Sequence, residues 1–205
     1  GMVTASVVGQ LVTAKTLKPA ANDYSRALTA LLVAERITGW SDPTFFNSDM
    51  QRGNDAEPIA RDMYADHLGV EVAEVGFMVR DDWGFEIGYS PDGLVGDNGL
   101  IEVKAPRAKT HLRTILADTV PPAHMAQIQA GLLVSGREWC DFISFYGGMP
   151  PFIKRVYQSQ EWADAIVQAV EQFETDAEAM IADFNTATAG LPTTERLVTE
   201  MELVI

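Results

Sequence analysis

Cysteine is almost missing from this chain: one residue, Cys140, in 205. A single thiol excludes an internal disulfide and a cysteine-ligated zinc or iron–sulfur site, and it points to a cytosolic setting. Cys140 itself reads as a small buried hydrophobe. Histidine is scarce as well, and His67 and His111 are expected to be ordinary surface or helix-end residues. No apolar run approaches membrane-spanning length and no secretory signal is visible, so no membrane role is expected. Positive charge is also short, 15 Lys and Arg against 29 Asp and Glu, a net −14. That balance argues on its face against nucleic acid as a partner. The deficit is uneven, however. Residues 159–205 hold ten acidic residues and one basic, Arg196, which is −9 and leaves −5 for the other 158.

What the chain does have is an unusual string. Ser90-Pro91-Asp92-Gly93-Leu94 is followed by Leu100-Ile101-Glu102-Val103-Lys104-Ala105-Pro106. The second stretch reads as a strand opened by the flexible Gly99 and closed by a proline that cannot donate to a ladder. Residues i and i+2 of a strand share a face, so Glu102 and Lys104 project together with Leu100. Ile101 and Val103 face the other way, into core. The Gly96-Asp97-Asn98-Gly99 turn folds Asp92 back beside Glu102. Two carboxylates so placed form a hard oxygen pair suited to Mg²⁺ or Mn²⁺. A lysine beside them orients or deprotonates a water, or holds a phosphate oxygen. Each residue taken alone has a plainer role: Asp92 in a turn, Glu102 and Lys104 on a solvated strand face. The length of the string favours the site.

The remaining segments supply an architecture. Residues 3–13 and 22–37 read as helices, and 40–53 as a loop holding Trp40, Pro43, Phe45 and Phe46. A helix over 55–68 is expected to start near Glu57. Asn54 or Asp55 would cap it, with Pro58 in its first turn and an apolar stripe of Ile59, Met63 and Leu68. Strands follow at about 70–80, 84–89 and 99–104, the first two joined by Asp81-Asp82-Trp83-Gly84. Helices are expected over 107–117 and 122–135, strands over 138–146 and 152–157, and a long acidic helix over 160–188 stopped by Gly190 and Pro192. The tail 193–205 stays ambiguous. No repeat stands out, and 205 residues suit one domain with a substantial core.

These residues resemble the core of the PD-(D/E)xK nuclease superfamily, specifically the lambda-exonuclease or YqaJ-type viral recombinase family. Three more stretches match in family order: Gly1-Met2-Val3-Thr4-Ala5-Ser6, Gly53-Asn54-Asp55-Ala56-Glu57-Pro58-Ile59-Ala60-Arg61, and Met125-Ala126-Gln127-Ile128-Gln129. Together they cover about residues 1–157. The resemblance implies an α/β fold with a restriction-endonuclease-like core, a central mixed β-sheet flanked by helices. It implies one nuclease domain over 1–205, with amino-terminal helices in 1–40, the core over about 50–157 and the acidic helix outside. By the same resemblance Asp92, Glu102, the Val103 carbonyl and, more distantly, Glu57 hold one or two Mg²⁺ (or Mn²⁺) ions, and Lys104 and Gln127 serve the attacking water. His124 stands where the family frequently has tyrosine.

The implied activity is hydrolysis of one strand of a linear duplex from its 5′ end, leaving a 3′ single-stranded tail for recombination. A homotrimer, a single-strand annealing partner and a cytoplasmic location in a bacterial host go with it. The family's basic 5′-phosphate residue precedes the Thr-Ala-Ser element, outside this sequence, which leaves Ser6 and Ser90 as the phosphate contacts expected within it. Arg52, Arg61, Arg107, Lys109 and Arg113 are the expected basic lining for DNA, with Lys15 and Arg26 as further candidates. The low positive charge predicts modest non-specific binding unless several subunits enclose the duplex. Two other readings stay open: an endonuclease of the same superfamily on branched or single-stranded DNA, and a non-catalytic DNA-binding module. Intact Asp92, Glu102 and Lys104 speak against the module.

Overall fold

In the computed structural model, which describes residues 1–42 and 47–196, the chain opens with β1 (Val3–Thr4), a 3₁₀ turn (Val8–Gln10), β2 (Val12–Thr13) and β3 (Lys18–Pro19). Helices α1 (Asp23–Thr38) and α2 (Ser48–Leu68) come next, then β4 (Val72–Ala73), β5 (Met78–Arg80), β6 (Ile87–Tyr89), β7 (Gly93–Val95) and β8 (Gly99–Lys104). The second half runs α3 (Ala108–Ala117), a 3₁₀ turn (Pro122–His124), α4 (Met125–Ser135), β9 (Trp139–Ser144), β10 (Phe152–Tyr157) and α5 (Gln160–Ala187). Five strands form one mixed sheet in the order β10-β9-β8-β7-β4, and β1-β6-β5 form a second. Only β8–β9 is parallel in the larger sheet, because α3 and α4 form the crossover that parallel neighbours require.

The central strand β8 explains where the core sits. Leu100 and Ile101 are fully buried and Val103 nearly so, on opposite faces. Leu100 packs with Cys140, Phe142 and the helices α4 and α5, while Ile101, Val103 and Ile143 pack against Ala60 and Tyr64 of α2. Both faces are thus covered, and the strand reads as an almost unbroken apolar run. The exception is Glu102.

Several expected elements differ. Residues 3–13 are not helical: Val3-Thr4 pairs in parallel with Ile87-Gly88, and Val12-Thr13 pairs with Lys18-Pro19. Buried Val3 and Val12 favour extended backbone, which the 3.6-residue reading of this segment missed. Helix α2 starts seven residues earlier than expected, capped by Asn47, whose side chain accepts from the Asp49 and Met50 N–H groups at 3.0 and 2.9 Å. Pro58 therefore lies in the helix interior, not in the first turn. The buried face of α2 is Ala60, Arg61 and Tyr64; of the expected apolar stripe Met63 packs against the core, while Ile59 and Leu68 are exposed. The expected 70–80 strand is two short ones in different sheets, β4 and β5. Pro43, Phe45, Phe46 and the tail beyond Arg196 lie outside the described residues.

Helix α5 matches its expected span. Ala163, Ile166, Val170, Phe173 and Ala177 face the core, and Arg36 of α1 holds Glu174 with two hydrogen bonds of 2.6 and 2.7 Å while lying over Phe173. On the other side of the large sheet, a buried polar knot ties α2 down. The Tyr64 hydroxyl donates to Asp141 at 2.7 Å, and Arg155 grips the same carboxylate with two bonds of 2.8 Å while stacking on Trp139 at 3.5 Å. Burial first, then the Asp141 charge, pushes the Tyr64 hydroxyl well above the ordinary tyrosine range, so it remains a donor.

Tyr64→Phe removes this donor and leaves a buried carboxylate short of one bond, which costs about 1–3 kcal/mol. Urea denaturation is expected to show that loss with an unchanged m-value. An unchanged midpoint would mean that the knot does not anchor α2.

Candidate active site

Glu102 is fully buried in the middle of β8, and its partners account for only half of its carboxylate. Lys104, two residues on along the same face, donates from Nζ to Oε1 at 2.5 Å. Oε2 is buried and has no hydrogen-bond partner of ordinary geometry. Gln127, in the first turn of α4, stands near enough to favour the ionised acid. The balance still raises the Glu102 pKa: burial dominates, and Glu57 adds to it against Lys104 and Gln127.

Asp92 reaches the same place from the start of β7. Gly93 pairs with Ile101, which ends the ladder two residues short of Val103, and Asp92 fills the gap by accepting the Val103 N–H at 2.7 Å. Burial and then the Glu102 charge push the Asp92 carboxyl up to about 7. Alternate peptide groups of a strand point to opposite neighbours, and Lys104 O is bonded by Phe145 N on the β9 side. The Val103 carbonyl therefore shares the Asp92 side with its own N–H.

Lys104 stays an ammonium. Burial pulls its pKa down, but the Glu102, Asp92 and Glu57 carboxylates outweigh that and raise it. Of the two expected roles, holding or orienting is the one its charge permits; in this state it has no lone pair to take a proton.

A divalent cation fits this arrangement chemically. The donors are hard oxygens, one carboxylate oxygen is buried without a partner, and a dication would offset the like charges of Asp92 and Glu102. Among the described residues no group of three or more His, Cys, Asp or Glu converges. An ion here would thus be held by Asp92, Glu102 and the Val103 carbonyl, with water completing the shell, as Mg²⁺ prefers. Glu57 stands at the rim: its charge raises both acids, yet its Oε1 is taken by Arg61 Nη2 at 2.7 Å.

The other expected residues fall around this centre. His124 stacks on Phe142 with ring centroids 5.3 Å apart, and burial, then Lys104, lowers its pKa to about 4, so it is neutral at pH 7. The parallel pairing of β1 with β6 sends Ser6 and Ser90 out of the same end of the small sheet, both exposed. Arg52 donates to the Ala105 carbonyl at 3.1 Å, just past Lys104, and both Arg52 and Arg107 converge on Asp49 Oδ1. Lys109 and Arg113 are exposed on α3 and form no ion pair among the described residues.

Sequence reasoning missed several members of the surroundings. His111 is not at the surface but fully buried, 2.8 Å from Ser144 Oγ and 3.0 Å from the Pro150 carbonyl. A carbonyl only accepts, so Nε2 carries a proton, and Nδ1 shares the other hydrogen bond with the Ser144 hydroxyl. Gln129 is buried and structural, bonding Tyr157 O and Ser159 N. No pattern marked His111, Asp49 or Asp141 in advance. The Arg61 pair with Glu57 had a signal in its four-residue spacing.

Paired carboxylates beside a lysine, on the edge-free centre of a mixed sheet flanked by helices, define a restriction-endonuclease-like α/β protein. The chain belongs to the family of YqaJ-like viral recombinase domains, whose model matches residues 1–138. Its structure is similar to an alkaline exonuclease from Laribacter hongkongensis at 34% identity and a TM-score of 0.82, covering 93% of this chain and 95% of that one. A phage-related exonuclease from Haemophilus somnus shares the fold at 13% identity and a TM-score of 0.72, over 90% and 96% of the two chains. No curated protein sequence gives a significant match. No helix among the described residues is long and apolar enough to cross a membrane.

The raised Asp92 pKa has a consequence for stability. Between the ordinary carboxylate range and pH 7 the folded chain binds more protons at this site than the unfolded chain, so the site's contribution falls as pH rises through that window. Above it, the ionised acid is a net cost of up to roughly 4 kcal/mol. Asp92→Asn keeps an acceptor for the Val103 N–H and removes the charge. In EDTA at pH 8 the variant is expected to melt several degrees above the wild type, with the difference shrinking by pH 5. A lower melting temperature at pH 8 would contradict the buried-charge reading.

Proposed function

We propose that this chain is a divalent-cation-dependent DNA exonuclease that degrades one strand of linear duplex DNA from its 5′ end and leaves a 3′ single-stranded tail for phage-type recombination. The observation that carries this reading is the buried Glu102 carboxylate with an unpartnered oxygen, held beside Asp92 and an ammonium. Structural tasks do not require such a group, since an apolar residue in its place would be more stable. The Laribacter exonuclease, the same fold at 34% identity, is also seen in complex with dAMP, a molecule with the chemistry of a released mononucleotide.

Asp92, Glu102 and the Val103 carbonyl would hold one or two Mg²⁺ or Mn²⁺ ions. When bound, the ion supplies Lewis-acid stabilisation of the phosphate and a water of lowered pKa. Lys104 holds a phosphate oxygen or orients the attacking water as a fixed positive charge. Gln127, neutral, hydrogen-bonds water or the scissile phosphate without changing the charge of the site. Ser6 and Ser90 offer hydroxyls to phosphate at one edge, and Arg52, Arg107, Lys109 and Arg113 line the exit from β8 toward α3. With a chain charge of −14, enclosure of the duplex by a homotrimer is the arrangement that gives these few cations enough effect. Cooperation with a single-strand annealing protein and action in the bacterial cytoplasm belong to the same reading.

The test uses linear duplexes labelled at either end, with and without a 5′ phosphate, beside closed circular DNA. Mononucleotides should appear from 5′-phosphorylated ends in Mg²⁺, not in EDTA and not from circles, and Lys104→Ala should reduce the rate by roughly 10²–10³-fold. Cleavage of circles or branched substrates at comparable rates would favour an endonuclease. Undiminished activity in Lys104→Ala would mean that the wild-type activity is a contaminant and that the chain is a binding module.

A further inference from the structure

Among the described residues, Arg61 is the one guanidinium in the core. Its side chain is 11% exposed, in the middle of α2 between Ala60 and Tyr64, which already provide the apolar seal against the sheet. Nη2 donates to Glu57 one helical turn earlier at 2.7 Å, Nη1 lies 2.5 Å from Glu74 on the β4–β5 connection, and Nε is buried with no partner. As a device for stability this is poor. A buried guanidinium with an orphaned donor is often matched or bettered by an apolar side chain of similar volume. Glu74 is 75% exposed, and a pair with so exposed a partner contributes little.

The geometry makes more sense when traced toward the carboxylate pair. Arg52 bonds the Ala105 carbonyl just past β8 and Ala60 packs with Val103, so Glu57, between them on α2, lies along the end of that strand, where its charge acts on Asp92, Glu102 and Lys104. A free glutamate side chain there would be repelled by the two acids and would swing out to water. Arg61 prevents that by fixing one carboxylate oxygen of Glu57 on its own helix, and Glu74 fixes Arg61 in turn from a separate element. Tyr64, one turn further on, locks the helix to Asp141. The result is a chain of fixed positions, Glu74 to Arg61 to Glu57, ending beside the proposed ion site.

We infer that Arg61 is a positioning residue: it holds Glu57 at the rim of the Asp92–Glu102 pair so that Glu57 adds to divalent-cation affinity through water, without touching DNA itself. This rests on the cation-dependent reading above. It also reassigns Arg61, a candidate DNA cation by sequence, to an internal role.

Calorimetric titration of metal-free protein with Mn²⁺, without DNA, tests the inference. The set is wild type, Arg61→Gln, Arg61→Lys, Glu57→Gln, the Arg61→Gln/Glu57→Gln double variant and Asp92→Asn. Loss of an outer hydrogen-bonding partner of a metal site typically weakens affinity 10–100-fold, and about 10-fold is expected for both Arg61→Gln and Glu57→Gln. The double variant should bind no more weakly than either single one, because both changes remove the same interaction. Arg61→Lys, which keeps the charge, should recover most of the loss and also guards against an Arg61→Gln protein that fails to fold. Wild-type affinity in Arg61→Gln, or losses that multiply in the double variant, would overturn the inference while leaving the metal site standing. No Mn²⁺ binding by the wild type, or undiminished binding by Asp92→Asn, would overturn the metal reading itself and the inference with it.

Discussion

A carboxylate buried at the centre of a sheet, with one oxygen unpartnered, is the constraint around which this molecule is arranged. β8 needs apolar residues on both faces to be a central strand, and Leu100, Ile101 and Val103 supply them. Glu102 interrupts that run at the one point where the neighbouring strand β7 has just ended, so Asp92 can turn in and Val103 can present both its N–H and its carbonyl to the same side. Lys104 then offsets part of the charge from the same strand face. The site is built from strand parity and the early end of a ladder, and the surrounding helices exist to keep it dry and in place.

The helices contribute differently. α4 brings Gln127 to Glu102 while Gln129, two residues on, is consumed in holding the start of α5. α2 brings Glu57, and it is restrained at Tyr64 by Asp141 and Arg155 on the far face of the sheet. α3 begins immediately after the strand, with Arg107 and Arg52 meeting on Asp49. These two guanidiniums lie just beyond the end of β8, and both are partly neutralised by an acid of the protein itself.

How much of this could be read in the sequence follows from how local each signal is. The strand 99–104, the turn before it, and the same-face projection of Glu102 and Lys104 depend only on a period of two and a glycine, and they were legible. So was α5, from its long amphipathic pattern and its terminal Gly190 and Pro192. Residues 3–13 were misread because short strands of two residues, one paired with distant Ile87-Gly88 and one with nearby Lys18-Pro19, leave no periodicity to find. The start of α2 was missed because Asn47 caps it eleven residues before the proline that suggested a first turn. His111 and Asp141 are long-range: their partners lie 33 and 77 residues away, so nothing adjacent could announce them.

The decisive measurement is diffraction from crystals equilibrated with Mn²⁺, using its anomalous signal to place the ion. The expected result is a peak between Asp92 and Glu102, within coordination distance of Glu102 Oε2 and the Val103 carbonyl, with Lys104 alongside and not coordinated. A difference map with no peak there, or a Glu102 whose Oε2 is satisfied by a protein donor instead, would contradict the assignment of this buried acid to a cation.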